Sequence, residues 1–145
     1  MKKLMTVILL VAATFAAKAD RNEKLITIDQ LPKKAQEFLQ ANFKDLQVAY
    51  VEKEVKPFGA EYEVYYTNRT KVEFRHDGEW KEIECKYNAV PASVVPKQIQ
   101  EFIAKNNPQQ SIKKIERNQY LWEVELHNDI EIKFDHKFAL IGYDD

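Results

Sequence analysis

Leu31-Pro32-Lys33-Lys34-Ala35-Gln36-Glu37-Phe38-Leu39 is answered 64 residues later by Val95-Pro96-Lys97-Gln98-Ile99-Gln100-Glu101-Phe102-Ile103. The echo continues at the same spacing. Asn42 matches Asn106, Val48 matches Ile112, and Val51-Glu52 matches Ile115-Glu116. Past the segment Lys56 to Ala60 the spacing falls to 60. Tyr62-Glu63-Val64 then aligns with Trp122-Glu123-Val124, Asn68 with Asn128, and Val72, Phe74 and His76 with Ile132, Phe134 and His136. The four missing residues fall where Pro57 and Gly59 mark a turn, which can shorten without disturbing its flanking strands. Spacing kept over so much of each unit is the signature of a duplication. Two copies of a long unit point to one shared sheet and not to an extended solenoid.

Each unit opens with a helix. Pro32 suits a first turn, where its missing N–H is no loss. Leu31, Ala35, Phe38 and Leu39 recur at helical spacing, as do Ile99, Phe102 and Ile103 after Pro96, until Pro108 ends the second helix. Strands follow with a period of two. Tyr62, Val64 and Tyr66 alternate with glutamates and Tyr65, while Thr70, Val72 and Phe74 alternate with Lys71, Glu73 and Arg75. Trp122, Val124 and Leu126 alternate with Glu123, Glu125 and His127, and Ile130, Ile132 and Phe134 do the same with Glu131, Lys133 and Asp135. Such alternation means one buried face and one wet face. The short turns at 67–69, 76–78 and 127–129 make antiparallel neighbours. The expected fold is α+β: two tandem α-β-β-β-β repeats, about 25–87 and 88–145, sharing one curved antiparallel sheet of about eight strands with two helices on one face. The stretch Asn88 to Val95 is a connector, too short to separate two domains.

The start of the chain reads as an export signal. Lys2 and Lys3 precede a 14-residue apolar run from Leu4 to Ala17, and Ala17-Lys18-Ala19 offers small residues before Asp20. The run falls short of the roughly 18 residues needed to span a bilayer. Residues 1–19 are therefore expected to be cleaved after Ala19, leaving 20–145 as a single domain in the periplasm or outside the cell. Their removal takes Lys2, Lys3 and Lys18 and no acid, leaving 19 basic against 23 acidic side chains and a net charge of −4. That balance argues against a nucleic-acid partner. The single cysteine, Cys85, excludes an intramolecular disulfide, so the core must hold the fold.

Candidate chemistry is sparse. His76, His127 and His136 lie at turns without ligand spacing, so no metal site is expected. Cys85 is in phase with Ile83 on a strand and reads as a buried small apolar residue before it reads as a nucleophile. The acid pairs Glu52/Glu54, Glu61/Glu63 and Glu82/Glu84 alternate with apolar residues and read as a solvated sheet face. Asn68-Arg69-Thr70 matches a glycosylation sequon without weight in this setting, and three glycines, 59, 78 and 142, build no phosphate loop. No catalytic residue and no cofactor is expected.

Aromatic residues on the wet face are the better candidates. By alternation Tyr65 faces solvent, and Trp80, out of phase with Ile83 and Cys85, is expected to do so too. Tyr50 is ambiguous, because the strand that carries it has room for a bulge. The two copies also diverge most on this face: Tyr65 aligns with Glu125, and Arg75 with Asp135. Tyr50, Tyr65, Trp80, Arg75 and Glu125 are accordingly the expected protein-binding residues, since aromatic and arginine side chains anchor interfaces.

The export signal, the helices opening in Leu-Pro-Lys and Val-Pro-Lys, the hairpin and the tandem arrangement together resemble the PepSY-like, beta-lactamase-inhibitor-like family of exported Bacteroides-type proteins. The resemblance covers residues 25–145. It implies a sheet like that of the beta-lactamase inhibitor proteins, whose open face binds another protein, and a non-enzymatic role. Inhibitors of that fold carry disulfides, and a chain with one cysteine departs from them. The expected function is an exported binding module, an inhibitor or modulator of an exported protein such as a hydrolase. The alternative is an envelope sensor that binds a small ligand, a peptide or a metal.

Overall fold

The computed structural model describes residues 22–144. The expected signal segment, 1–19, lies outside the described residues. Nine strands form one antiparallel sheet in strict chain order: β1 Glu23–Ile26, β2 Val48–Lys56, β3 Gly59–Tyr66, β4 Thr70–Phe74, β5 Trp80–Cys85, β6 Ile112–Arg117, β7 Leu121–Leu126, β8 Glu131–Asp135 and β9 Leu140–Asp144. Two ten-residue helices, α1 Lys33–Asn42 and α2 Lys97–Asn106, cover one face. Most neighbours in sequence are neighbours in space because tight hairpins join them, the geometry that short turns enforce. Two connections are long and run through a helix, from β1 through α1 to β2 and from β5 through α2 to β6, and each still brings its strand to the edge of the one before.

The duplication is legible in backbone detail. Each helix follows a short 3-10 turn, Ile28–Gln30 in one copy and Ala92–Val94 in the other. Gln36 and Gln100 each donate to the carbonyl of the residue before the proline, Leu31 and Val95, at 2.8 Å. Asn42 and Asn106 each donate to the carbonyl four residues back at 2.9 Å. Bulges recur as well. Ala49 is an extra residue in β2 between the pairs Val48–Tyr66 and Tyr50–Tyr65, and Lys113 is its counterpart in β6. Lys81 in β5 and Ile141 in β9 are extra in the same way. Left-handed backbone recurs at Arg69 and Asp129, and again at Gly78 and Phe138. A bulge bends its strand and increases its twist, so both copies curve the sheet at matching places.

The core lies between the helices and one face of the sheet. Ala35 and Leu39 of α1, and Ile99 and Ile103 of α2, meet Val64, Val72, Phe74, Ile83, Ile115, Val124, Ile132 and Phe134, all buried. Phe38 meets the edge of Phe74 with ring centres 5.8 Å apart, and Phe102 meets Phe134 in the same way at 5.3 Å. The two helices thus drive equivalent aromatic wedges into equivalent strands.

Two expectations change. The sheet has nine strands because β1 lies along β2, pairing Ile26 with Val51. In the second copy that place is taken by β5, which pairs Ile83 with Ile115. Trp80 is buried, 5 % exposed, and does not face solvent. The bulge at Lys81 is the cause: one extra residue turns Trp80 to the helix side, opposite Phe74, where it stacks on Phe38 at 6.2 Å. Cys85 is buried, as expected.

Candidate functional site

The face of the sheet away from the helices carries a row of like charges. Glu52 lies opposite Glu63, Glu63 opposite Glu73, Glu73 opposite Glu82, Glu82 opposite Glu116, and Glu116 opposite Glu123. Six glutamates therefore stand side by side across six strands, and Lys133 closes the row on β8. Like charges directly opposite each other destabilise a sheet. The curved face also crowds these carboxylates: Glu52 is only 5 % exposed. Two effects relieve the row. Lys71 lies 3.6 Å from Glu73 and 3.5 Å from Glu82. Burial, reinforced by hydrogen bonding to Glu82 and Glu63, pushes the Glu73 carboxyl up to about 8, so that it holds a proton where an ordinary glutamate would not. Burial also raises the pKa of Glu116, with Glu82 and Glu123 acting in the same direction.

A second row runs beside the first: Tyr50, Tyr65, Lys71, Glu84, Lys114, Glu125 and Glu131. The bulge at Ala49 settles the ambiguity over Tyr50 by turning it to this face. Tyr50 and Tyr65 stack with ring centres 4.3 Å apart at an angle of 20°. The Tyr65 hydroxyl donates to Glu63, and burial together with that bond drives its pKa far above the ordinary value. Around the pair opens a cleft of about 590 Å³, to which Arg69, Lys71, Glu84 and Lys86 contribute charge. Glu125 lies further along the row and takes Lys113 and Lys114 at 3.3 and 3.5 Å. Tyr50, Tyr65 and Glu125 thus share the open face.

Arg75 and Trp80 belong elsewhere. They gather at one end of the sheet around Arg117, which sequence reading missed. The Arg117 guanidinium lies 3.9 Å from the Trp80 ring centre and 5.7 Å from that of Trp122. Its Nε donates to the Trp80 carbonyl at 2.9 Å and its Nη2 to Glu79 at 2.9 Å. Arg75 donates through Nη2 to the Arg117 carbonyl at 2.6 Å. Burial lowers the Arg117 pKa, and Glu79 opposes that shift. The sequence signal was weak, because Arg117 aligns with Lys53 and its aromatic partners come from two other strands.

The remaining candidates are dispersed. His127 binds the Ser111 hydroxyl through Nδ1 at 2.9 Å and meets the backbone carbonyl of Cys85 through Nε2 at 3.3 Å. The Cys85 thiol instead has the Thr70 hydroxyl 3.8 Å away, and burial raises its pKa. A nucleophilic cysteine needs the opposite shift. Among the described residues no three His, Cys, Asp or Glu side chains form a group able to hold a metal ion. Among the same residues no helix is long and apolar enough to cross a membrane.

The chain matches the family model described as "Putative beta-lactamase-inhibitor-like, PepSY-like" over residues 17–59 and 60–142. No curated protein matches it. Among solved structures it is similar to a "putative periplasmic protein from DUF2874 family" of Bacteroides vulgatus, with 43 % identity and a TM-score of 0.82 over 86 % of this chain and 98 % of that one. It is also similar to a "putative calcium-regulated periplasmic protein" of Bacteroides thetaiotaomicron, with 41 % identity and a TM-score of 0.84 over 88 % of this chain and 99 % of that one. A second Bacteroides vulgatus protein, named as periplasmic and of unknown function, shares 30 % identity and a TM-score of 0.80 over 85 % of this chain and 99 % of that one.

Proposed function

The chain belongs to the PepSY-like, beta-lactamase-inhibitor-like family, and on that premise we propose that it is an exported, non-enzymatic binding module whose open sheet face docks an exported protein such as a hydrolase. The observation that carries this reading is the stacked Tyr50–Tyr65 pair beside a charged cleft on the face the helices leave uncovered. Stacked tyrosines offer apolar area at little entropic cost, with hydroxyls for polar contacts at the rim. The periplasmic naming of the similar structures supports an exported setting. So does the apolar start of the chain, read as a signal cleaved after Ala19, with 20–145 acting as one domain.

The test is affinity capture from periplasm and culture medium with the wild-type chain and a Tyr50→Ala/Tyr65→Ala double variant. The reading expects a hydrolase or other exported protein retained by the wild type and lost by the variant, with the fold of the variant verified by circular dichroism. Equal recovery by both would sink it.

A second reading, a cation-responsive sensor, draws on the name of the Bacteroides thetaiotaomicron neighbour. Millimolar calcium should then raise the melting temperature by several degrees beyond magnesium at equal ionic strength. An equal response to both ions removes this reading.

A further inference from the structure

The end of the sheet that gathers Arg75 and Arg117 has a charge imbalance that the described residues do not resolve. Glu79 accepts two cations at once, Lys34 at 2.5 Å and Arg117 at 2.9 Å. Asp77 is close enough to act on both. Arg75 adds a third cation. Its hydrogen bond goes to a backbone carbonyl, and among the described residues no carboxylate pairs with it. Within this cluster the three cations Lys34, Arg75 and Arg117 meet two carboxylates, Asp77 and Glu79, a surplus of one positive charge; Glu61, which lines a neighbouring cleft with Arg75, is taken by Lys56 and Lys81.

That surplus borders open space. Arg75, Glu79 and Arg117 line one side of a cleft of about 710 Å³, and Trp122 and Tyr120 supply aromatic surface to it. Asn118 shapes the turn below, its Oδ1 accepting from the backbone N–H groups of Tyr120 and Leu121 at 2.8 and 3.0 Å. Tyr120 is held at the rim and is 69 % exposed. The turn thus places an exposed aromatic side chain on the same cleft as the Arg75 guanidinium. The feature does not recur in the second copy. The position equivalent to Arg75 is Asp135, whose carboxylate is used by the backbone N–H groups of Lys137 and Ala139.

We propose that this cleft binds a small carboxylate that carries an apolar or aromatic body, with the carboxylate on Arg75 and the exposed side of Arg117 and the body against Trp122 and Tyr120. Arginine presents five donors in a planar fork that fits a carboxylate. A single negative charge matches the surplus of one, where a phosphate dianion would overshoot it. The site lies at the sheet end beside Trp80, away from the Tyr50–Tyr65 cleft, and stands independently of the open-face reading.

The chain has two tryptophans, so two indole N–H signals report on the site by NMR, and Trp122→Phe assigns them. The probe is N-acetyl-L-phenylalanine, with its amide, glucuronate and inorganic phosphate as comparison arms. The expected result is a saturable shift of the Trp122 signal at millimolar carboxylate, with the amide binding at least about tenfold more weakly. Arg75→Gln should reduce carboxylate binding to the level of the amide in a variant whose cooperative melting curve shows it folded. Tyr120→Ala, at an exposed position, should weaken the phenylalanine probe severalfold without unfolding the chain. The proposal is overturned by equal binding of acid and amide, by undiminished binding to a folded Arg75→Gln variant, or by no saturable shift up to about 50 mM probe. Tighter binding of phosphate overturns the single-charge match, and tighter binding of glucuronate overturns the apolar body.

Discussion

Glu73 and Glu82 face each other directly across β4 and β5, with Lys71 within 4 Å of both. Their crowding makes the fold sensitive to mild base. The Glu73 carboxyl is pushed from 4.5 up to about 8 by burial and by its glutamate neighbours. Below pH 4.5 the folded and unfolded chains both hold the proton. Between 4.5 and about 8 only the folded chain keeps it, so stability falls as pH rises through that window and levels off above it. Glu116 contributes in the same sense. Melting temperatures from pH 5 to 9 should decline, and Glu73→Gln should flatten the curve and add about 1–2 kcal/mol at pH 9. That gain is well below the full linkage value, because Lys71 and solvent share the charge. A variant with an unchanged slope would show that the row is not crowded.

Gly78 is where the β4–β5 turn presses on α1. Its φ is +88°, and a Cβ there would sit 3.0 Å from Lys34 Cβ and 3.1 Å from Pro32 Cβ. Phe138, its counterpart, keeps a φ of +66° with a full side chain that packs on Trp122 at 5.6 Å. Left-handed backbone alone is therefore tolerated in this turn, and the close approach to the helix is what demands glycine. Gly78→Ala should cost about 1–3 kcal/mol in urea denaturation. A cost near zero would mean that α1 can draw back.

Cys85 should behave as an inert thiol. It is 2 % exposed, burial raises its pKa, and its sulfur lies 3.8 Å from the Thr70 hydroxyl. Titration with a thiol-specific chromogenic disulfide at pH 8 should label the folded chain at least about a hundredfold more slowly than the chain in urea, because modification must wait for opening. Rapid labelling of the folded chain would place the thiol in contact with solvent.

The helices, the turns and the alternation of the middle strands were legible in the sequence because each is a local pattern that its own residues enforce. Pro32 and Pro96 start the helices, and Phe38 and Phe102 reach the core at equivalent heights. Two kinds of feature stayed hidden. A bulge inverts every side chain beyond it, and no local signal at Lys81 announces one, so the alternation put Trp80 on the wrong face. Register between strands is set by tertiary packing. The glutamate row and the approach of Arg117 to Trp80 depend on that register, and so the individual residues appeared as ordinary surface charges. β1 went unseen for the same reason: Glu23-Lys24-Leu25-Ile26 lacks alternation and becomes a strand because β2 offers it an edge.

β5 serves two masters. It closes the first copy by pairing with β4 and seats the second by pairing Ile83 with Ile115 of β6. Arg117 of the second copy hydrogen-bonds to the backbone of Trp80 in the first. Neither half can melt without stripping hydrogen bonds and aromatic cover from the other. What is modular as an inheritance is therefore indivisible as a thermodynamic body. A scanning calorimeter should record one cooperative transition whose calorimetric and van't Hoff enthalpies agree, and a protease should find no stable half to release.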